Sequence, residues 1–94
     1  MEIKNIHTED GGSFIIEREG KQLAALSYNT CKPGIITIEH TEVSDELRGQ
    51  HIGQKLVASA VAYAIEKQIK INSVCQFANA ILMKNANYHS LIVE

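Results

Sequence analysis

Two groups of residues in this chain have types and spacing suited to chemistry. The first is Arg48-Gly49-Gln50-His51-Ile52-Gly53-Gln54, where a strand-like run gives way to a helix-like one. The first turn of a helix carries unpaired N–H groups and a partial positive charge, so anions such as phosphate settle there. Backbone comes closest to an anion where no Cβ intervenes, which Gly49 and Gly53 allow. Arg48 adds a permanent charge and a fork of donors. The plainer alternative is a loop closed by Gly49, a helix packed closely through Gly53, and a solvated Arg48. The stretch matches neither GxxxxGK followed by Ser or Thr nor GxGxxG, the two common phosphate fingerprints.

The second group is His40 and Cys75. An imidazole titrates near neutrality and can take a proton, and a thiolate is a nucleophile. Alternation along a strand puts Ile36, Ile38 and His40 on one face. Cys75 is expected at the end of the next strand. If the two strands are neighbours, both side chains approach one point at the carboxyl end of the sheet, where open α/β folds bind ligands. The plainer alternatives are a cysteine that packs as a small hydrophobe and a histidine that is structural or exposed. The four histidines form no H-x-x-x-H pair on one element, and no metal site is expected. Cys31 and Cys75 match no CxxC spacing.

These residues need elements to position them. "EIKNIHT" predicts a first strand, broken by Asp10-Gly11-Gly12. "SFIIERE" and "QLAALSYNT" predict a hairpin turned at Gly20-Lys21, where Gly20 can take positive φ. Lys32-Pro33-Gly34 is a further turn. The β-branched "IITIEHTEV" then predicts a fourth strand. After Arg48 the period changes. Ile52, Leu56, Val57, Ala60, Val61, Ala64 and Ile65 recur at helical spacing with one apolar face. "KINSVC" predicts a strand parallel to the fourth, completing a βαβ unit. "FANAILMKNA" predicts a second, shorter helix, and "NYHSLIV" either a final turn or an edge strand. The fold class is α/β (α+β): an antiparallel meander, a βαβ unit and a C-terminal helix.

Bulk properties limit the function classes. At 94 residues, one small domain spanning 1–94 is expected. A formal net charge of -2 argues against broad nucleic-acid binding, which calls for a basic face. No apolar run reaches membrane-spanning length, and "MEIKNIHTEDGG" lacks the apolar segment of a signal peptide. A cytoplasmic monomer is expected, and that compartment argues against a disulfide.

The stretch "VSDELRGQHIGQKLV" resembles the acyl-CoA loop of the GNAT superfamily of N-acetyltransferases, whose signature is Q/R-x-x-G-x-G/A after a strand and opening a helix. Arg48 matches the leading cation and Gly53 the last glycine. His51 stands where a glycine is usual, and its Cβ would restrict approach of a diphosphate unless the backbone keeps helical φ/ψ. The chain from His40 to Leu91 is similar to the very small GNAT-like proteins, which keep the cofactor half of the fold and omit the N-terminal helices. The shared pattern comprises Ile38, His40, Thr41 and Val43, then Leu47, Gly49, Ile52, Gly53 and Leu56, then Cys75, Tyr88 and Leu91.

The resemblance implies acetyl-CoA as cofactor and transfer of its acetyl group to an amine, on a protein or a small molecule. It implies that backbone N–H groups from Arg48 through Gly49, Gln50, His51, Ile52 and Gly53 to Gln54 hold the diphosphate. The backbone from Thr41 to Val43 would pair with the pantetheine arm as a strand pairs at a sheet edge. His40 would act as base or position one. Cys75 would either accept the acetyl group or line the site during direct transfer. Lys55 and Lys84 could reach the nucleotide phosphate or be solvated. The alternative function is a module that binds CoA or acyl-CoA without efficient transfer.

Overall fold

The computed structural model describes residues 2–93, so Met1 and Glu94, the ends of the expected domain, lie outside the described residues. Five strands form one sheet in the order β1-β2-β3-β4-β5. The antiparallel meander comprises β1 (Lys4–Thr8), β2 (Gly11–Arg18), β3 (Lys21–Asn29) and β4 (Ile35–Val43). Helix α1 (Ile52–Lys67) then carries the chain to β5 (Lys70–Ser73), which runs parallel to β4. Helix α2 (Gln76–Lys84) follows, packed beside α1 and against β4 and β5.

One face of the sheet is covered. Leu26, Tyr28, Ile36, Ile38 and Ile71 meet Leu56, Val57, Ala60 and Ala64 of α1 and Ala78 and Leu82 of α2 in a single core. The helical spacing read from α1 is the stripe it buries, except Ile65, which is 59% exposed. Burying a side chain such as Leu56 contributes about 1.5–3 kcal/mol. Truncating it to alanine would cost about 2–5 kcal/mol, because a cavity would remain. Helix α1 ends at Gln68, which takes a left-handed φ of 58° and donates its N–H to the carbonyls of Ala64 and Ile65. That closure usually falls to glycine.

Gly11 and Gly12 do not break the first strand pair, as the sequence suggested. Glu9 and Asp10 form the turn, and both glycines lie inside β2. A Cβ on Gly11 would stand 2.2 Å from the Tyr28 carbonyl oxygen, and one on Gly12 only 2.7 Å from the Tyr28 hydroxyl. Gly11 therefore lets β2 approach the β3 backbone closely, and Gly12 lets the Tyr28 ring lie across β2, where Asn5 Nδ2 donates to its hydroxyl at 2.9 Å. Of the two alternatives for the C-terminal stretch, the final turn is what forms. Ala86–Leu91 forms a 3-10 turn, and Ile92 then makes a single parallel bridge to Ile71.

The register between β3 and β4 slips at one point. Tyr28 pairs with Ile38, but Ser27 pairs with His40, so Glu39 is an extra residue on β4. Such a bulge reverses the alternation. Ile38 faces the helices with Tyr28, whereas His40 faces solvent with Ser27. The placement of Ile36, Ile38 and His40 on one face, expected from simple alternation, is thereby corrected.

Candidate active site

Strands β4 and β5 pair only from Ile35↔Lys70 to Ile38↔Ser73, with one further bond from Val74 N–H to the Ile38 carbonyl. Beyond that point they separate. Residues 40–43 of β4 stay paired with β3 on one side and have no strand on the other. The gap opens beside the N-terminal ends of both helices.

The loop into α1 is shaped by backbone conformation. Ser44 caps a short 3-10 turn, Asp45–Leu47, by accepting from Glu46 N–H. Leu47 is buried and anchors the turn. Gly49 then takes φ 84°, a conformation that favours glycine. His51 also takes the left-handed conformation, with φ 56° and ψ 35°. The condition posed by the sequence, right-handed helical backbone at His51, is not met. His51 adopts instead a conformation that costs a residue with a Cβ about 1–2 kcal/mol. The side chain of His51, the residue before α1, makes no capping hydrogen bond, so among the described residues the first-turn N–H groups of α1 have no side-chain cap.

A groove of about 340 Å³ lies over this turn. Its lining includes Val43, Arg48, Gly49, His51, Ile52, Gly53 and Gln54. Gln50 and Thr41 are not part of that lining. Arg48 is largely exposed and forms an ion pair with Asp45 three residues earlier. An exposed pair of this kind contributes little, so the guanidinium can exchange partners at small cost. One wall was not legible from the sequence. Phe77, in the first turn of α2, is 50% exposed and lines the groove. Its ring sits on Gly53, where a Cβ would come within 2.4 Å. The available signal was a large aromatic at the polar start of a short helix.

Cys75 is the residue preceding α2 rather than the end of β5. It is partly buried, and its sulfur lies 3.6 Å from Thr41 Oγ1. Burial pushes the thiol up, but the Ala78 N–H, the Thr41 hydroxyl, and the Phe77 and Thr41 backbone groups together outweigh it. The net effect holds the thiol below its ordinary value. These groups act by favouring the anion.

His40 lies on the other side of β4. Its Nε2 is 2.8 Å from Glu42 Oε1, and both side chains are about two-thirds exposed, at 65% and 68%. The bulge thus separates the two expected catalytic residues by face. Thr41, between His40 and Glu42, points inward to the sulfur, while its neighbours point outward. Among the described residues, no cluster of His, Cys, Asp or Glu is arranged to hold a metal ion, and no helix is long and apolar enough to cross a membrane.

The comparisons with known proteins bear on this geometry. The NMR structure of a GCN5-like protein from Staphylococcus aureus is 38% identical. The match covers 98% of this chain and 87% of that one, with a TM-score of 0.76. The ribosomal-protein-S18-alanine N-acetyltransferase of Escherichia coli shares the fold at a TM-score of 0.67 and 14% identity, over 83% of this chain and 53% of that one. Protein NATD1 of Homo sapiens is 29% identical over 62 residues, covering 66% of this chain and 55% of that protein. The match thus spans little more than half the length of that relative. The family model for the GCN5-related N-acetyl-transferase matches residues 13–91. With its meander, its βαβ unit and its open gap between two parallel strands, the chain belongs to the GCN5-related N-acetyltransferase family.

Proposed function

We propose that this chain transfers an acetyl group from acetyl-CoA to a primary amine. The observation that carries the reading is the groove over the uncapped first turn of α1, continuous in position with the gap between β4 and β5. Diphosphate oxygens would accept from the N–H groups of the Arg48–Gln54 stretch. The pantetheine arm would pair with β4 near Thr41–Val43, where that strand has an unpaired side. The thioester would then lie near Thr41 and Cys75. The amine nitrogen attacks the thioester carbon, the carbon–sulfur bond breaks, and the CoA thiolate leaves. His40, held by Glu42, takes the proton that the amine loses.

The facing of the residues favours direct transfer over an acetyl-Cys75 intermediate. His40 lies on the side of β4 away from the sulfur, so it does not serve as the base for that thiol. The amides that favour a thiolate at Cys75 would equally favour the leaving CoA thiolate seated beside it. The same separation is the observation that favours a second reading, a module that binds acyl-CoA and turns over poorly.

A two-dimensional amide NMR titration with CoA tests the cofactor assignment. Large shifts are expected from Val43 to Gln54 and around Cys75. Their absence at about millimolar ligand would remove both readings. A panel of amines with acetyl-CoA then separates them: enzyme-dependent acetylation of any amine supports transfer, and none supports the binding module.

A further inference from the structure

The two edges of the sheet differ in what covers them. At β5 the chain closes its own edge: Ile92 bridges to Ile71, and Val93 N–H donates to the Ile71 carbonyl. At β1 the outer side has no partner strand among the described residues. Proteins commonly blunt such an edge with a proline, a bulge or a free charge. Strand β1 has none of these. Its register with β2 runs without a slip, and its one charged residue, Lys4, is paired with Glu17 at 3.3 Å. Asn5, Ile6, His7 and Thr8 follow, all exposed. Ile6 stands opposite Ser13 on the uncovered face of the sheet and is 46% exposed. Helix α1 packs on β2 to β5, which leaves β1 held mainly by β2.

We propose that this edge pairs with β1 of a second copy of the chain, antiparallel about a two-fold axis at Ile6, joining two sheets into one. The strand's self-complementarity selects that occupant. Only the register centred on Ile6 keeps all five residues of β1 paired. In it, Ile6 meets Ile6 of the second copy, and two exposed apolar side chains cover each other. Lys4 meets Thr8 of the second copy, so no like charges stand opposite within the strand. Asn5 meets His7 of the second copy. Asn5 Nδ2 is already engaged with the Ser13 carbonyl and the Tyr28 hydroxyl, and its Oδ1 accepts no bond among the described residues. That oxygen would accept from the imidazole. Strands β4 and β5 lie at the opposite side of the sheet, so pairing leaves both gaps open, and the inference does not depend on the proposed function.

Analytical ultracentrifugation of the full chain over a concentration series tests this. One short strand offers less than the roughly 1,200 Å² that stable interfaces bury, so association should be weak. The weight-average mass should rise toward twice the monomer's on the order of 0.1–1 mM. Ile6→Lys puts like charges on the axis and should weaken association by about tenfold or more. Met83→Lys, at a comparably exposed apolar residue of α2, should leave it unchanged. In a mixture of isotope-labelled and unlabelled chains, an intermolecular nuclear Overhauser contact should join Ile6 of one copy to Ile6 of the other. A mass that stays monomeric to about 1 mM would overturn the inference. So would association that survives Ile6→Lys, association lost in Met83→Lys, or intermolecular contacts confined to residues outside β1.

Discussion

The two faces of β4 beyond its bulge differ in what they offer a reaction. Toward the helices stand Thr41 and Val43, beside Cys75 and the groove. Toward solvent stand His40 and Glu42, joined to each other. Had the strand alternated without interruption, His40 would have faced the sulfur, and the pair would have suited an activated cysteine nucleophile. The extra residue Glu39 turns the imidazole outward. A thiolate-favouring position then lies on one side of the strand and a proton acceptor on the other. In the proposed direct transfer, the amine would add to a face of the planar thioester carbonyl while the leaving sulfur stays near Cys75. On the function proposed above, the two faces divide the labour: the covered face would set cofactor affinity, and the open face rate.

The largest expected effect tests the open face. His40→Ala should lower acetyl transfer on the order of a hundredfold or more, the usual worth of a positioned base. Its CoA affinity, measured calorimetrically, should stay unchanged. A variant that loses affinity instead would collapse the division between the faces. On the covered face, Gly49→Val forces a branched residue into the left-handed region. We expect CoA binding to weaken about tenfold and urea-denaturation stability to fall by about 1–2 kcal/mol. Full CoA affinity in that variant would show that the loop conformation is not what grips the ligand.

Smaller effects sharpen the picture. Thr41→Val deletes a hydroxyl that favours the Cys75 thiolate, so the thiol should titrate at higher pH. In a Cys31→Ser background, alkylation by iodoacetamide near neutral pH should slow several-fold, with its inflection moved upward. An unmoved inflection would mean that the α2 amides act alone. The smallest change is expected of His51→Gly. Relief of left-handed strain, about 1–2 kcal/mol, is offset by the greater freedom of an unfolded glycine, about 0.5–1 kcal/mol. Thermal denaturation should register a net change within about 1 kcal/mol, with CoA binding equal or tighter. Clear destabilisation would point to a contact made by the imidazole itself.

Much of this molecule was legible in its residues. The nine positions of β4 follow from a run rich in β-branched residues, Ile35, Ile36, Thr37, Ile38, Thr41 and Val43, between Gly34 and Ser44. The buried stripe of α1 follows from helical spacing alone. The loop before α1 was legible from its two glycines, and the structure gives Gly49 a positive φ, which favours that residue. The bulge at Glu39 was not legible, because nothing in "TIEHTE" distinguishes one extra residue from continued alternation; the partner strand decides it. Gly11 and Gly12 read as a break because a turn and a close approach call for the same residue. Only the tertiary position of Tyr28 distinguishes the two. Cys75 moved from strand end to helix start through a difference of two residues, which sequence periodicity cannot resolve over a four-residue strand.

The glycine under the Tyr28 ring, Gly12, also bears on how the fold meets strong base. It lets the ring sink until Tyr28 is 2% exposed. Burial raises the phenol above its ordinary 10.0, the bond from Asn5 lowers it in part, and the neighbouring Tyr63 raises it again. The folded state therefore holds this proton more tightly than the unfolded chain does. The stability it lends is whole below the unfolded value and is lost as pH rises through the folded one. With no tryptophan in the chain, phenolate absorbance would follow that loss directly. A late-ionising tyrosine should appear together with the unfolding transition in strong base.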